Sequence, residues 1–173
     1  KKFSEAGAKI LATGTKEDKL NILQKEFDNI QVEKFNLGEH SKIDPFIELA
    51  NQNLGGLDVL INNAGINLDS LTIRLSEENW KKVLDINLTS TFLMCKSAIK
   101  KMLKNKSGKI VNVSSIAARN YSKTASTEYT VSKYGLVGLT KQLAHEYGEY
   151  NNHYAKHEFH YLFLTHKMLF PQV

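Results

Sequence analysis

"LDVLINNAG", residues 57–65, decides the fold. Leu57, Val59, Leu60 and Ile61 form an apolar run with little alternation that stops at a polar turn, Asn62-Asn63-Ala64-Gly65. A strand covered on both faces, as in a parallel sheet, has this signature. Upstream, "AKILATGT" (8–15) reads as a short buried strand and "KEDKLNILQKEF" (16–27) as an amphipathic helix with Leu20, Leu23 and Phe27 on one side. "IQVEKFNL" (30–37) alternates as a second strand. "SKIDPFIELANQN" (41–53) predicts a helix capped by Ser41, with Pro45 in its tolerant first turn and an apolar face of Ile43, Phe46, Ile47 and Ala50. Downstream, one long helix is expected from Ser76 to Lys104, with Glu77 and Glu78 in its first turn. "KIVNVSS" (109–115) follows Gly108 as another buried strand, and a last helix runs from Thr127 to Tyr147.

Strands and helices alternate throughout, which predicts an α/β domain, a doubly wound parallel sheet with helices on its faces. Such sheets bind ligands at the carboxyl ends of their strands. Two of those ends carry chemistry, Asn62 to Gly65 and Ser114-Ser115, and the helix holding Tyr129 starts one loop after the second.

The bulk composition narrows the class. With 173 residues, 42% hydrophobic and 24% charged, the chain fits one soluble globular domain with a sizeable core. The single cysteine, Cys95, excludes an internal disulfide and reads as a small hydrophobe inside a helix. No apolar run approaches the ~18 residues of a membrane span, and "KKFSEAGAKI" (1–10) lacks a signal peptide's apolar core. A cytoplasmic, membrane-free protein is expected. The net charge of +5 is spread along the chain, without the concentrated basic face and stacking aromatics that nucleic acid requires. Lys100, Lys101, Lys104, Lys106 and Lys109 read as a solvated helix end, and an acidic protein partner is their other use.

"STEYTVSKYG" (126–135) places Tyr129 four residues before Lys133, on one helix face. The spacing fits a proton donor beside the cation that tunes it. It equally fits a surface tyrosine with a snorkelling lysine, and spacing alone does not choose between them.

Four short pieces in order are more specific: "NNAG" (62–65), "INLTS" (86–90), "VNVSS" (111–115) and "YTVSK" (129–133). With them the chain, from about Lys2 to about Tyr147, resembles the short-chain dehydrogenase/reductase family. Within that family, residues 55–92 are most similar to the bacterial 3-oxoacyl-[acyl-carrier-protein] reductases. The resemblance implies a Rossmann-type sheet, a nicotinamide dinucleotide and a homotetramer.

It also implies roles. Tyr129 would protonate the substrate carbonyl. Lys133 would supply the nearby cation that favours phenol ionisation and would hold the nicotinamide ribose. Ser115 would hydrogen-bond the substrate oxygen, Ser114 being one position too early by the motif, and Asn87 would hold a relay water. Asn63, Ala64 and Gly65 would lie near the adenine ribose side of the cofactor, and Asn36 and Leu37 would contact adenine. Thr13, Thr15 and Lys16 stand where an NAD enzyme carries an acid, which favours NADPH (NADP). Lys106 would face an acidic carrier protein.

The family's glycine-rich phosphate loop would precede residue 1, and its later strands are not recognisable after Tyr147. The chain therefore reads as a Rossmann-type domain incomplete at both ends: a partial dinucleotide-binding and catalytic domain over 1–148, then an atypical tail over 149–173. Two alternatives follow. The loop "IAARNYSKTASTE" (116–128) lacks the reductases' glycine run and is similar to that of short-chain dehydrogenases for a sugar or small alcohol. The literal polypeptide also reads as an inactive fragment. His153, His157 and His160 have i, i+4, i+7 spacing, but their irregular context points to no metal site.

Overall fold

The computed structural model describes residues 1–119 and 125–148, and the backbone of 158–164. A short helix α1 (Lys2–Glu5) leads into β1 (Ile10–Gly14), α2 (Glu17–Glu26), β2 (Ile30–Lys34), α3 (Ile43–Leu54) and β3 (Val59–Asn62). Then come α4 (Glu77–Leu84), a π-helical turn (Asp85–Thr89), α5 (Ser90–Asn105), β4 (Ser107–Val113), α6 (Thr127–Tyr147) and β5 (Glu158–Leu164). Every strand pairing is parallel, as the alternation predicts. β1 pairs with β2 in one sheet, and β3, β4 and β5 form a second with β4 in the middle.

One helical layer serves both sheets. Ile43, Phe46 and Ile47 of α3 and Met94, Ala98, Ile99 and Met102 of α5 share a core cluster with Leu60, Ile110 and Phe35. Leu11 packs against the same cluster, and the Phe35 and Phe46 rings stack with centroids 4.3 Å apart. The apolar face predicted for 41–53 is thus buried as a unit, because residues at i, i+3, i+4 and i+7 share one side of a helix.

Several local expectations need correcting. Ser41 does not cap α3: residues His40–Lys42 form a 3₁₀ turn, so Lys42 takes the cap position without a side-chain bond. Of the predicted face of 16–27, only Leu20 is buried. β1 is half-buried at most positions. The run at 57–61 is not buried on both faces either. Leu57 and Leu60 meet the helical layer, while Val59 and Ile61 on the alternate face are 46% and 43% exposed. The segment 158–164, inside the tail that reads as atypical, pairs with the whole of β4. His160 lies on that strand, whereas His153 and His157 fall outside the described residues.

The long helix expected from Ser76 to Lys104 is continuous in direction but not in type. Ser76 caps it, accepting from the Asn79 N–H at 3.1 Å, and the two first-turn acids favour that end. The wider π turn then interrupts it around Asn87. Such turns arise when one extra residue enters the helical repeat, and they are frequent at functional sites.

Candidate active site

The carboxyl ends of four strands carry the predicted residues. Thr15 follows β1 and is exposed; Asn36 follows β2, its Oδ1 accepting from the Gly38 N–H at 3.1 Å. Leu37 is half-buried and packs against the core. Asn63, Ala64 and Gly65 follow β3, all exposed, and Ser114 and Ser115 follow β4.

The structure brings Tyr129, Lys133, Asn87 and Gly65 together. Lys133 is 4% exposed, and its Nζ donates to the Val113 carbonyl at 2.9 Å. The same Nζ lies 5.6 Å from the centre of the half-buried Tyr129 ring, within cation–π range. Burial holds the Lys133 ammonium below the usual lysine range. A Cβ added at Gly65 would stand 3.2 Å from Asn87 Oδ1 and 3.4 Å from Lys133 Nζ. Glycine therefore lets the end of β3 pass directly over this pair.

Asn87 is fully buried, and its carboxamide is engaged by protein. Its Oδ1 accepts from the Ile66 N–H at 2.8 Å; its Nδ2 donates to the Ile66 carbonyl at 2.8 Å and to Ser132 Oγ at 3.1 Å. It clamps the chain just after Gly65 to the π turn and to α6. Its own carbonyl accepts from Thr91 Oγ1 at 3.0 Å.

The two serines part company. Ser114 is buried, and its Oγ donates to the Lys133 carbonyl at 2.9 Å, tying β4 to α6. Ser115 is half-buried and caps the 3₁₀ turn Ile116–Ala118, its Oγ accepting from the Ala117 N–H at 3.2 Å. Among the described residues, no acceptor takes the Ser115 hydroxyl proton.

Sequence reasoning missed the supports of this site. Asn112 in β4 accepts from Asn62 Nδ2 at 2.8 Å and donates to Thr140 Oγ1 at 2.9 Å, joining β3, β4 and α6. Cys95 Sγ receives a contact from Asn62 Nδ2 at 3.3 Å, and burial pushes its thiol up to about 12. Ser132 Oγ donates to the Tyr129 carbonyl at 2.7 Å. An asparagine inside an apolar strand run was the available signal, since a polar side chain is tolerated there only when paired. Gly135 matters as well: a Cβ there would stand 2.7 Å from Leu88 Cδ2, so glycine lets α6 approach the π turn.

Together, four parallel strand ends, a tyrosine beside a buried lysine, and an asparagine clamp at a π turn carry the pattern of the four sequence motifs. The chain matches the short chain dehydrogenase family over residues 1–153. It belongs to that family.

The fold is accordingly the Rossmann-like one of the short-chain dehydrogenases. The chain is 39% identical over 141 residues to the 3-oxoacyl-[acyl-carrier-protein] reductase FabG of Rickettsia conorii, covering 81% of the chain and 56% of that protein. It is 37% identical over 151 residues to the FabG of Aquifex aeolicus, covering 84% and 60%. The crystal structure of an actinorhodin polyketide ketoreductase variant with NADPH superposes with a TM-score of 0.79 at 29% identity, covering 83% of this chain and 57% of that one. The chain thus spans between 56% and 60% of the length of these two curated relatives. Among the described residues, no helix is long and apolar enough to cross a membrane and no three His, Cys, Asp or Glu side chains gather as metal ligands.

The residues present fit one part of a nicotinamide dinucleotide. Beside Gly65, the Lys133 ammonium has N–H donors beyond its bond to Val113, and these suit the hydroxyls of a ribose. The pyrophosphate is another matter, because the 173 residues contain no G-x-G-x-x-G loop.

Proposed function

We propose that the chain provides the catalytic and ribose-binding part of an NADPH-dependent reductase that converts a 3-oxoacyl thioester on acyl carrier protein to the 3-hydroxyacyl form. The observation that carries this reading is the buried Lys133 ammonium, held by the Val113 carbonyl beside the Tyr129 ring. The similarity to FabG proteins supports the substrate class, and the similarity to a ketoreductase solved with NADPH supports the cofactor.

The bound nicotinamide would supply a hydride to the carbonyl carbon. Tyr129 gives its phenolic proton to the carbonyl oxygen, and the Lys133 cation stabilises the phenolate left behind. Lys133 also holds the nicotinamide ribose. Ser115 donates its hydroxyl to the same substrate oxygen, which polarises the carbonyl and fixes its distance from Tyr129. Asn87 positions the loop after Gly65 through Ile66, and the π turn around it is the place for a relay water. Thr15, Asn36, Leu37, Asn63 and Ala64 line the adenosine side, with Thr15 and Lys16 suited to a 2′-phosphate. Lys106, exposed in the left-handed turn that ends α5, is a docking point for an acidic carrier protein.

The test uses a chimera in which residues 1–148 are joined to the remaining segments of the Rickettsia conorii reductase, assayed by NADPH consumption with acetoacetyl thioesters and, in reverse, with polyols and NADP. Thioester turnover that falls by about three orders of magnitude in Tyr129→Phe, with NADPH affinity retained, is the expected result. Polyol oxidation without thioester turnover would move the assignment to the sugar and alcohol dehydrogenases.

A further inference from the structure

Between the start of α3 and the adjoining turns of α5 lies a cavity of about 180 Å³. Ile43 and Leu93 form its apolar wall. His40, Ser41, Asp44, Lys96 and Lys100 are the polar residues that line it, and none belongs to the site around Tyr129 and Lys133.

The charges in this cavity do not balance. Lys100 Nζ lies 3.4 Å from Asp44 Oδ2, and the charge of Lys96 acts on the same carboxylate. The Ser97 hydroxyl, helped by Lys100 and Lys96, holds the Asp44 carboxyl below the usual carboxylate range against a smaller opposing effect of burial. Among the described residues, Lys96 forms no ion pair of its own. Two ammonium groups therefore share one ionised carboxylate. The neighbouring charges do not alter this: Glu39 and Lys42 pair with each other, and Asp85 is turned to His40, its Oδ2 3.4 Å from the imidazole Nε2. That pairing also braces the ring at the cavity edge.

Size and chemistry limit the ligand. The volume is room for roughly six waters at ~30 Å³ each, too little for a nucleoside or an acyl chain. A cation would meet two lysines. A planar carboxylate suits the fork of an arginine, whereas ammonium groups on different helical turns act as separate point charges. Tetrahedral oxygens meet donors from several directions at once.

We propose that this cavity is a binding site for a phosphate group, with Lys96 and Lys100 as its charge partners and Ser41 as a hydroxyl donor. Asp44 limits the affinity, because its charge opposes the ligand and its hold on Lys100 is shared. The inference does not depend on the reductase reading, since the cavity includes no residue assigned to cofactor or substrate.

The experiment titrates the 173-residue chain with inorganic phosphate at constant ionic strength, followed by calorimetry and amide NMR. Expected is one saturable site of about millimolar affinity, with shifts at residues 40–44 and 93–100. Lys96→Met should weaken binding about tenfold, and Asp44→Asn should strengthen it several-fold by removing the opposing charge. Lys19→Met, which removes an exposed charge from α2, should leave the affinity unchanged. Glycerol phosphate separates two sources of the group. Equal binding means that the site takes the phosphate head of a larger molecule, and binding of inorganic phosphate alone means that it takes the free ion. Absence of saturable binding would overturn the proposal. So would equal losses in Lys96→Met and Lys19→Met, weaker binding by Asp44→Asn, or shifts centred on Thr15 and Lys16.

Discussion

Lys133 Nζ donates to the main-chain carbonyl of Val113 at 2.9 Å while standing 5.6 Å from the centre of the Tyr129 ring. This one bond joins the end of β4 to the middle of the first turns of α6 and keeps a cation out of bulk water. The chain carries that cation at a cost, which gives a pH signature. Burial lowers the pKa of Lys133 below 10.5, so the unfolded chain holds this proton more tightly than the folded one. The burial penalty is in full force below the lowered pKa and fades as pH rises from there towards 10.5. Lys133→Met removes the titrating group. Urea unfolding across the alkaline range should show the stability of the parent rising relative to the variant through this window. Parallel pH curves for the two proteins would refute the assignment.

Two glycines predict opposite outcomes for one substitution. A Cβ at Gly108 would lie 2.4 Å from Met102 Sδ and 2.7 Å from Met102 Cβ, and Met102 is fully buried. Gly108→Ala should cost about 2–3 kcal/mol as α5 is pushed off β4. Gly138 lies inside α6 with nothing within 4 Å of the new methyl. Gly138→Ala should stabilise by about 1 kcal/mol through helix propensity alone. Chemical denaturation of the two variants checks both signs.

Much of this arrangement is legible before folding, and the parts that are not have identifiable reasons. Ile43, Phe46, Ile47 and Ala50 announce their shared face because the helical period is long enough to count. The apolar runs of β3 and β4 announce parallel strands, yet a continuous run conceals its phase. Only the folded chain shows that Gly108, Ile110, Asn112 and Ser114 take the buried side and Ser115 does not. The π turn at Asn87 adds one residue to a helix without altering its composition, so an awkward asparagine is its sole trace. Ser41 loses its capping role because a 3₁₀ turn forms ahead of α3. The division into two sheets escapes the sequence entirely, since pairing depends on which strand lies beside which.

The Asn87 clamp gives a third expectation. Asn87→Ala strips the Ile66 N–H and carbonyl of their side-chain partners and leaves a small buried void. A loss of about 2–4 kcal/mol follows from the unpaired groups together with the void. Asn87→Asp keeps an acceptor for the Ile66 N–H but turns a second oxygen toward the Ile66 carbonyl in a fully buried position. At neutral pH it should be at least as destabilising as the alanine variant, and it should recover on acidification as the carboxylate takes up a proton. Thermal melts at two pH values separate the pair. An aspartate variant insensitive to pH would show that the carboxamide's donor role at Ile66 is unimportant.

The adjacent serines allow structure and chemistry to be read separately. Ser114 Oγ is buried and spent on the Lys133 carbonyl, whereas Ser115 Oγ accepts from the Ala117 N–H and, among the described residues, gives its own proton to no acceptor. Ser114→Ala should lower stability by about 1 kcal/mol, the worth of a buried neutral hydrogen bond. In the chimeric reductase it should leave turnover within a few-fold of the parent. Ser115→Ala, which gives up the half-buried cap on the Ala117 N–H, should cost no more stability in urea than Ser114→Ala. Its turnover should fall about 100-fold, as expected when one donor to a reacting oxygen is removed. If the two variants exchange these behaviours, Ser114 is the substrate donor and the loop after β4 takes a different course when substrate is bound.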